Sequence, residues 1–263
     1  MKSYLEEFHN LKLFRLEEAL NLVGNENSTK DLLYNYKKQK FICQVRRNLY
    51  VSTDLATKKS IATKFEIGSN ITPSSYLSYH TALEYHGIAH QIFYDLYVSS
   101  EGRFNNFVFD GINFKYCESR IKSGVVTPNL DSHVKITDLE RTVVDCIDRI
   151  DHAGGLEELI QSLSLITHLN EEKLKLYLDE YSKAFLYQKA GFILSFFQQE
   201  TKISNNFILY CKQKIGQSVR YLTLPAESTN FFKEWNLCAP ENILSFLEQG
   251  GNERIMGSAT ISK

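Results

Sequence analysis

The apolar positions of the first fifty residues recur at the spacing of short amphipathic helices. The pattern predicts a helix over 3–10, opened by a Ser-x-x-Glu capping box, and a second helix over 15–23 that ends at Gly24. Ser28 is expected to cap a third helix. Two short strands over 41–51 follow, with a tight turn expected near Arg46-Arg47-Asn48 because Asn tolerates left-handed backbone conformations better than most residues. The first part of the chain is therefore predicted to hold three helices and a β-hairpin.

The middle of the chain mixes helical and strand-like patterns. A helix is predicted over 76–86, and strands are predicted over 92–99 and 133–136. An Asp-Gly pair at 110–111 predicts a hairpin over 107–114, because these residue types accept the positive φ angles of a type I′ turn.

A second capping box, Thr137-x-x-Glu140, predicts a helix that continues through Ile150. Arg141 and Asp145 are four residues apart, so we expect them to pair on the exposed side of this helix, where such a pair contributes only a few tenths of a kcal/mol. The remaining pattern is mostly helical, over 156–165, 170–181, 183–199 and 204–214.

These patterns predict an α/β (α+β) fold with an N-terminal winged helix-turn-helix, then a mixed α/β segment and a mostly helical C-terminal domain. The expected division is a winged-helix domain over 1–55, a linker over 56–73, a second domain over 74–250 with α/β (74–150) and helical (151–250) parts, and a disordered tail over 251–263. Whether 74–250 is one domain or two stays open.

The composition is typical of a soluble globular protein, with 43% hydrophobic and 23% charged residues among 263. No apolar run approaches the roughly 18 residues that a membrane span needs, so no membrane partner is expected. The five cysteines are scattered without a Cys-x-x-Cys pair, which argues against a zinc site and a disulfide framework. The expected compartment is the reducing cytoplasm.

Charge is distributed unevenly along the chain. Residues 1–64 contain twelve Lys and Arg against seven Asp and Glu, a balance of +5, whereas 65–263 contain eighteen against twenty-four, a balance of −6. A basic N-terminal part on an acidic remainder favours nucleic-acid binding at the N-terminus.

The winged-helix pattern assigns candidate DNA-binding residues. The second helix of a helix-turn-helix lies in the major groove with its early residues at base edges, and arginines of the hairpin suit phosphates or a narrow minor groove. The predicted DNA-binding residues are Ser28, Thr29, Lys30, Tyr34, Lys37, Lys38, Arg46, Arg47 and Asn48. The alternative is a helical packing module whose basic residues are simply solvated.

Motifs for catalysis are missing from the sequence. It contains no P-loop, no Gly-x-Ser-x-Gly and no Gly-x-Gly-x-x-Gly after a strand. The carboxylates between Asp138 and Asp151 fit the polar face of a capped helix. A nuclease of the restriction-enzyme kind would need Glu-x-Lys on the strand after Asp110, where the chain has Asn113-Phe114-Lys115. We predict no catalytic residue, no metal site and no cofactor.

Three stretches in this order resemble the AbiEi family of antitoxins from type IV toxin–antitoxin (abortive infection) systems. They are Arg46-Arg47-Asn48-Leu49-Tyr50-Val51, Tyr79-His80-Thr81-Ala82-Leu83-Glu84-Tyr85-His86-Gly87, and Ile136-Thr137-Asp138-Leu139-Glu140-Arg141-Thr142-Val143-Val144-Asp145. The family usually reads Arg-Gly-Leu-Tyr in the first stretch, so Asn48 replaces a glycine. The resemblance covers nearly the whole chain.

The resemblance implies two activities for a protein that is not an enzyme. The winged helix would bind inverted repeats in double-stranded promoter DNA and repress its own operon. The domain over 74–250 would be an antitoxin domain that counteracts a cognate nucleotidyltransferase toxin (AbiEii-like), with direct contact between the two proteins left open.

Two other functions remain compatible with the sequence. One is a stand-alone winged-helix transcriptional regulator with a ligand- or partner-sensing body. The other is a defence-associated nuclease.

Overall fold

The computed structural model describes residues 4–128 and 133–247. Its first six elements are α1 (Leu5–Leu11), β1 (Leu13–Arg15), α2 (Leu16–Val23), α3 (Glu26–Lys38), β2 (Ile42–Arg46) and β3 (Leu49–Ser52). The strands form an antiparallel sheet in the order β1-β3-β2. This is a winged helix-turn-helix, as predicted. We call residues 4–63 the head and the described residues from 64 to 247 the body.

The head differs from the prediction at two points. β1 was not predicted, because three residues are too few for a strand pattern to show. The cap of α3 is Asn25 and not Ser28: the Asn25 side chain accepts a hydrogen bond from the backbone N–H of Ser28, and the helix begins at Glu26. The cap predicted at Ser3 lies outside the described residues.

The body is built on a six-stranded mixed sheet in the order β6-β7-β5-β4-β9-β8. Its elements are α4 (Lys64–Ser69), β4 (Tyr76–Leu77), α5 (Tyr79–Tyr85), β5 (Asp95–Ser100), β6 (Phe107–Phe109), β7 (Ile112–Glu118), β8 (Val125–Val126) and β9 (Ile136–Thr137). β5 pairs with β7, and β4 with β9, in parallel. The Asp110-Gly111 hairpin is confirmed, with positive φ at both residues.

One predicted helix of the body is shorter than expected. The segment 76–86 begins as strand β4, because Leu77 pairs with Val98 on one side and Ile136 on the other, and α5 starts only at Tyr79. Sheet pairing from distant residues overrides the local helical pattern here. In the segment 56–73, predicted as a linker, α4 packs so closely that a Cβ at Gly68 would lie 2.9 Å from the side chains of Leu77 and Leu96.

The part of the body that follows β9 is mainly helical. Its helices are α6 (Leu139–Asp148), α7 (Leu156–Ser164), α8 (Glu171–Tyr181), α9 (Ala184–Ser195), α10 (Gln198–Thr201) and α11 (Asn205–Lys214). Three short strands follow, β10 (Arg220–Tyr221), β11 (Asn230–Phe232) and β12 (Leu237–Ala239). The mostly helical C-terminal part is therefore confirmed. The predicted tail over 251–263 lies outside the described residues.

Three hydrophobic clusters hold these layers together. One lies inside the head, around Phe8 and Phe14, and one lies between α5, α6 and the C-terminal helices. The third joins the head to the body sheet: Val45, Leu49 and Val51 of the hairpin pack with residues of β4, β5 and β7. All four residues of β3 are buried, since β3 has the head helices on one face and the body on the other.

Within the described residues, no helix is both long and apolar enough to cross a membrane.

Candidate nucleic-acid interface

The turn between α2 and α3 orients the helix that a winged helix presents to DNA. Gly24 ends α2 in a left-handed conformation with φ of 84°, and its N–H donates to the carbonyl of Leu20 over 2.7 Å. Such a conformation costs little at glycine because there is no Cβ to clash. Asn25 then caps α3. The two residues together form the turn that sets the angle between α2 and α3.

The predicted reading residues divide into exposed and buried positions. Ser28, Lys30 and Tyr34 are exposed on α3, with Tyr34 63% exposed. Thr29 is only 1% exposed, and its hydroxyl donates to the backbone carbonyl of Asn25 over 2.7 Å. Because α3 begins two residues earlier than Ser28, Thr29 turns inward and is separate from the exposed face.

Lys30 is the least available of the exposed cations on α3. Its Nζ lies 2.5 Å from Oε1 of Glu26, one helical turn earlier. The hydrogen bond and charge of Lys30 lower the pKa of the Glu26 carboxyl. Exposed pairs of this kind exchange readily with solvent and contribute little energy, so Lys30 remains able to bind another anion.

A basic surface runs from the end of α3 to the loop after β3. Lys37 Nζ donates to Oε1 of Gln44 on β2 over 2.9 Å, and the carbonyl of Lys40 accepts from the Thr53 hydroxyl over 2.6 Å. Lys58 lies over the ring of Phe41, with its Nζ 5.0 Å from the centroid. We call this surface the lysine ridge: Lys37, Lys38, Lys40, Lys58 and Lys59.

Lys58 and Lys59 are the part of this surface that sequence reasoning missed. They lie in a loop closed by a bridge between Thr53 and Ser60, inside which the Asp54 carboxylate accepts hydrogen bonds from the N–H groups of Ala56 and Thr57. The two adjacent lysines after a predicted strand were the available signal. The bridge that brings their loop back beside Phe41 could not be inferred from it.

The hairpin turn presents one of its two arginines to solvent. Arg47 is exposed, and the adjacent Asn48 is exposed with φ of 63°. The turn at Arg47-Asn48 is as predicted, since Asn adopts left-handed conformations more readily than most residues. Arg46 is half-buried and faces the body, where its guanidinium carbon lies 5.5 Å from the ring centroids of both Phe104 and Phe107.

Ion pairing separates the lysines of the head from those of the body. Of the seven described lysines in the head, Lys12 and Lys30 pair with a carboxylate. Of the twelve in the body, eight do so, namely Lys64, Lys115, Lys122, Lys173, Lys175, Lys183, Lys212 and Lys214. Throughout the described chain, none of the five ridge lysines pairs with a carboxylate. The ridge therefore offers positive charge that no carboxylate of the described residues neutralises.

The surroundings of Arg141 on α6 have the opposite character. Arg141 is 1% exposed, and its Nε donates to Oδ1 of Asp145 over 2.6 Å. Its Nη1 donates to the backbone carbonyl of Ser123 over 2.6 Å, while the Tyr181 hydroxyl donates to the same Asp145 oxygen over 2.5 Å. The prediction of an exposed Arg141–Asp145 pair is wrong, because α8 and the 121–123 segment cover this face of α6.

Burial and charge oppose each other in this pair. Burial raises the pKa of the Asp145 carboxyl, while the charge of Arg141 and the hydrogen bond from Tyr181 act in the other direction. Burial also disfavours the charged Arg141, but Asp145 outweighs it and raises the pKa of the guanidinium. Gly124 makes room for the pair, since a Cβ there would lie 2.8 Å from the Cβ of Arg141.

The other carboxylates near α6 are also engaged by the chain. Asp138, and not Thr137, caps α6 by accepting from the N–H of Arg141, and it also accepts from Lys173 and Tyr177. Glu140 accepts a hydrogen bond from the backbone N–H of Asn170, and Asp148 accepts one from Lys183. Asp151 accepts one from Arg149. Among the described residues, no three His, Cys, Asp or Glu side chains are grouped so that they could hold a metal ion.

Comparison with known proteins gives one informative result. No protein-family profile matches the chain, and no curated protein matches it. The fold is similar to the crystal structure of the RV2827C protein from Mycobacterium tuberculosis, with a TM-score of 0.66 and 11% sequence identity over 91% of this chain and 89% of that chain. The similarity extends over head and body together and shows a shared fold.

Proposed function

We propose that this protein is an AbiEi-type antitoxin that represses its own operon by binding promoter DNA through the head. The observation that carries the DNA-binding part is the lysine ridge together with Arg47, a set of mostly exposed cations on a winged helix-turn-helix that pair with no carboxylate among the described residues. Phosphate contacts by Lys and Arg dominate the affinity of proteins for DNA.

The residues of the head have separate parts in this proposal. Ser28 and Lys30 in the first half of α3, and Tyr34 just past its middle, face outward and would contact base edges in the major groove. Lys37 and Lys38, with Arg47, would contact phosphates on either side. The bound site would be double-stranded promoter DNA with inverted repeats, as the resemblance to AbiEi proteins implies.

The second activity is assigned to the body because the resemblance to AbiEi proteins implies it there. Eight of its twelve described lysines pair with a carboxylate, so a smaller share of its lysines than of the head's is available to phosphates. We propose that the body acts in the cytoplasm and counteracts the cognate nucleotidyltransferase toxin without a cofactor of its own.

DNA binding is tested by fluorescence anisotropy on the protein's own promoter at several salt concentrations. The triple variant Lys37→Ala, Lys38→Ala, Arg47→Ala should flatten the slope of log K against log salt by about 1 per lost phosphate contact, so by about 3 in total. The matched control is Lys122→Ala, an exposed body lysine paired with Glu101. An unchanged slope in the triple variant would show that the head does not bind DNA in this way.

The antitoxin part is tested by co-expression with the product of the adjacent gene, which this proposal expects to be a nucleotidyltransferase toxin. Growth should be restored by the wild-type chain and by the triple variant, because the two activities reside in different parts of the molecule. Promoter binding without any rescue of growth would instead indicate a stand-alone transcriptional regulator.

A further inference from the structure

The two neighbouring arginines of the hairpin occupy different environments. Arg47 is exposed at the turn, whereas Arg46 is half-buried between the head and the body. The guanidinium of Arg46 lies 5.5 Å from the ring centroids of Phe104 and Phe107, which are themselves 6.4 Å apart. A cation over two aromatic faces is held by the negative potential of both rings.

A bulge in the hairpin explains why Arg46 faces the body. Along β2, Ile42 packs into the head core and Cys43 and Val45 pack toward the body, so strict alternation would direct Arg46 away from the body. The register between β2 and β3 shifts between Gln44 and Arg46. An extra residue in a strand re-aims the side chain that follows it, and Arg46 consequently faces the same way as Val45.

The environment of Arg46 does not favour contact between its guanidinium and a DNA phosphate. Its Nη1 is fully buried and has no hydrogen-bond partner among the described residues. Burial, and then the charge of Arg15, lowers the pKa of its guanidinium. Arg15 itself is anchored to the body, with its Nη2 donating to the backbone carbonyl of Asn70 over 2.6 Å. Both side chains join the head to the body.

We infer that Arg46 is a positioning residue that clamps the hairpin to the body, and that it sets the orientation of the DNA-binding head without contacting phosphate. Arg46, Val45 and Leu49 form one side of the contact, and Phe104 and Phe107 form the other. The inference deepens the proposed function and rests on it for the DNA readout. It also corrects the expectation that Arg46 and Arg47 contact DNA in the same way.

The test compares Arg46→Ala and Arg46→Met with Arg47→Ala in the full-length chain. Promoter affinity is measured at several salt concentrations, and amide hydrogen exchange is followed over 42–52 and 104–116. Arg46→Met keeps an apolar side chain in the contact and removes only the guanidinium, so it remains interpretable if the alanine variant folds poorly.

The clamp predicts opposite signatures for the two arginines. Arg46→Ala and Arg46→Met should weaken promoter binding several-fold with an unchanged salt slope, and should speed exchange at the hairpin while α1 to α3 stay protected. Arg47→Ala should lower the slope by about 1 and leave exchange unchanged.

Two outcomes would overturn the inference. If Arg46→Met lowered the salt slope like Arg47→Ala and left exchange unchanged, Arg46 would be a phosphate contact. If it changed neither exchange nor affinity, the clamp would not exist. A wild-type chain that does not bind its promoter would refute the proposed function instead, while faster exchange in the Arg46 variants would still support the clamp.

Discussion

The cations of the head and of the body obey different physical rules. In the head, Arg47 and every ridge lysine except the half-buried Lys37 are exposed, and none of them pairs with a carboxylate among the described residues. In the body, Arg141 is enclosed with Asp145 and Tyr181. Exposed charges contribute little to stability and are available to a ligand. A buried charge compensates the opposite charge beside it, so its removal destabilises the fold, and no ligand can reach it. Location and pairing, more than the number of charges, separate a binding surface from a structural core.

The largest effect is expected when the buried cation is removed. Arg141→Ala would leave the Asp145 carboxylate buried without its partner, and we expect the free energy of unfolding to fall by about 3–5 kcal/mol. Urea denaturation followed by circular dichroism measures it. A loss below about 1 kcal/mol would mean that water reaches Asp145, and the contrast between the two regions would then be much weaker.

An intermediate effect is expected from pH, through a titratable group of the body. His152 stacks on Tyr97 with ring centroids 4.7 Å apart and accepts from Arg149 Nη2 over 2.9 Å. Burial, and then the charge of Arg149, lowers the pKa of its imidazole, with Asp151 opposing. The unfolded chain therefore protonates His152 more readily than the folded chain does. The stability that neutral His152 contributes is present above about pH 6.5 and is lost as the pH falls.

The variant His152→Phe isolates that contribution. Phenylalanine retains a ring beside Tyr97 and does not titrate. The loss of unfolding free energy between pH 7.5 and pH 5.5, measured by urea denaturation, should be smaller in the variant than in the wild type. An equal or greater loss in the variant would show that His152 does not contribute to acid sensitivity.

The smallest effect is expected at exposed lysines of either region. Lys38→Ala in the head and Lys122→Ala in the body should each change the free energy of unfolding by less than about 0.5 kcal/mol, because both side chains are solvated. Thermal denaturation of the two variants, side by side with the wild type, checks this. A larger loss for Lys38→Ala would indicate that the ridge has a structural partner.

Local signals in the sequence predicted the parts of the fold that depend on neighbouring residues. The turn at Arg47-Asn48 and the Asp110-Gly111 hairpin follow from residue types that accept positive φ. The order of helices and strands in the head, apart from β1, follows from hydrophobic spacing.

The parts that could not be predicted depend on contacts between distant residues. The spacing of Arg141 and Asp145 shows that they can pair, but the pair is buried by Tyr181, thirty-six residues from Asp145, and by the 121–123 segment. Likewise, two arginines in a row gave no sign that a bulge would turn Arg46 toward Phe104. A basic surface on the head was therefore predicted from composition, but which residues form it could be seen only in the fold.

The burial of β3 on both faces limits how this protein can be divided. A fragment ending near residue 55 would retain the head core around Phe8 and Phe14 but would uncover Leu49 and Val51, which are both fully buried in the intact chain. Exposed apolar strands of this kind promote self-association. The head is thus not a transferable cassette, and chimeras that borrow its DNA specificity need the body sheet as well, or polar replacements at these two positions.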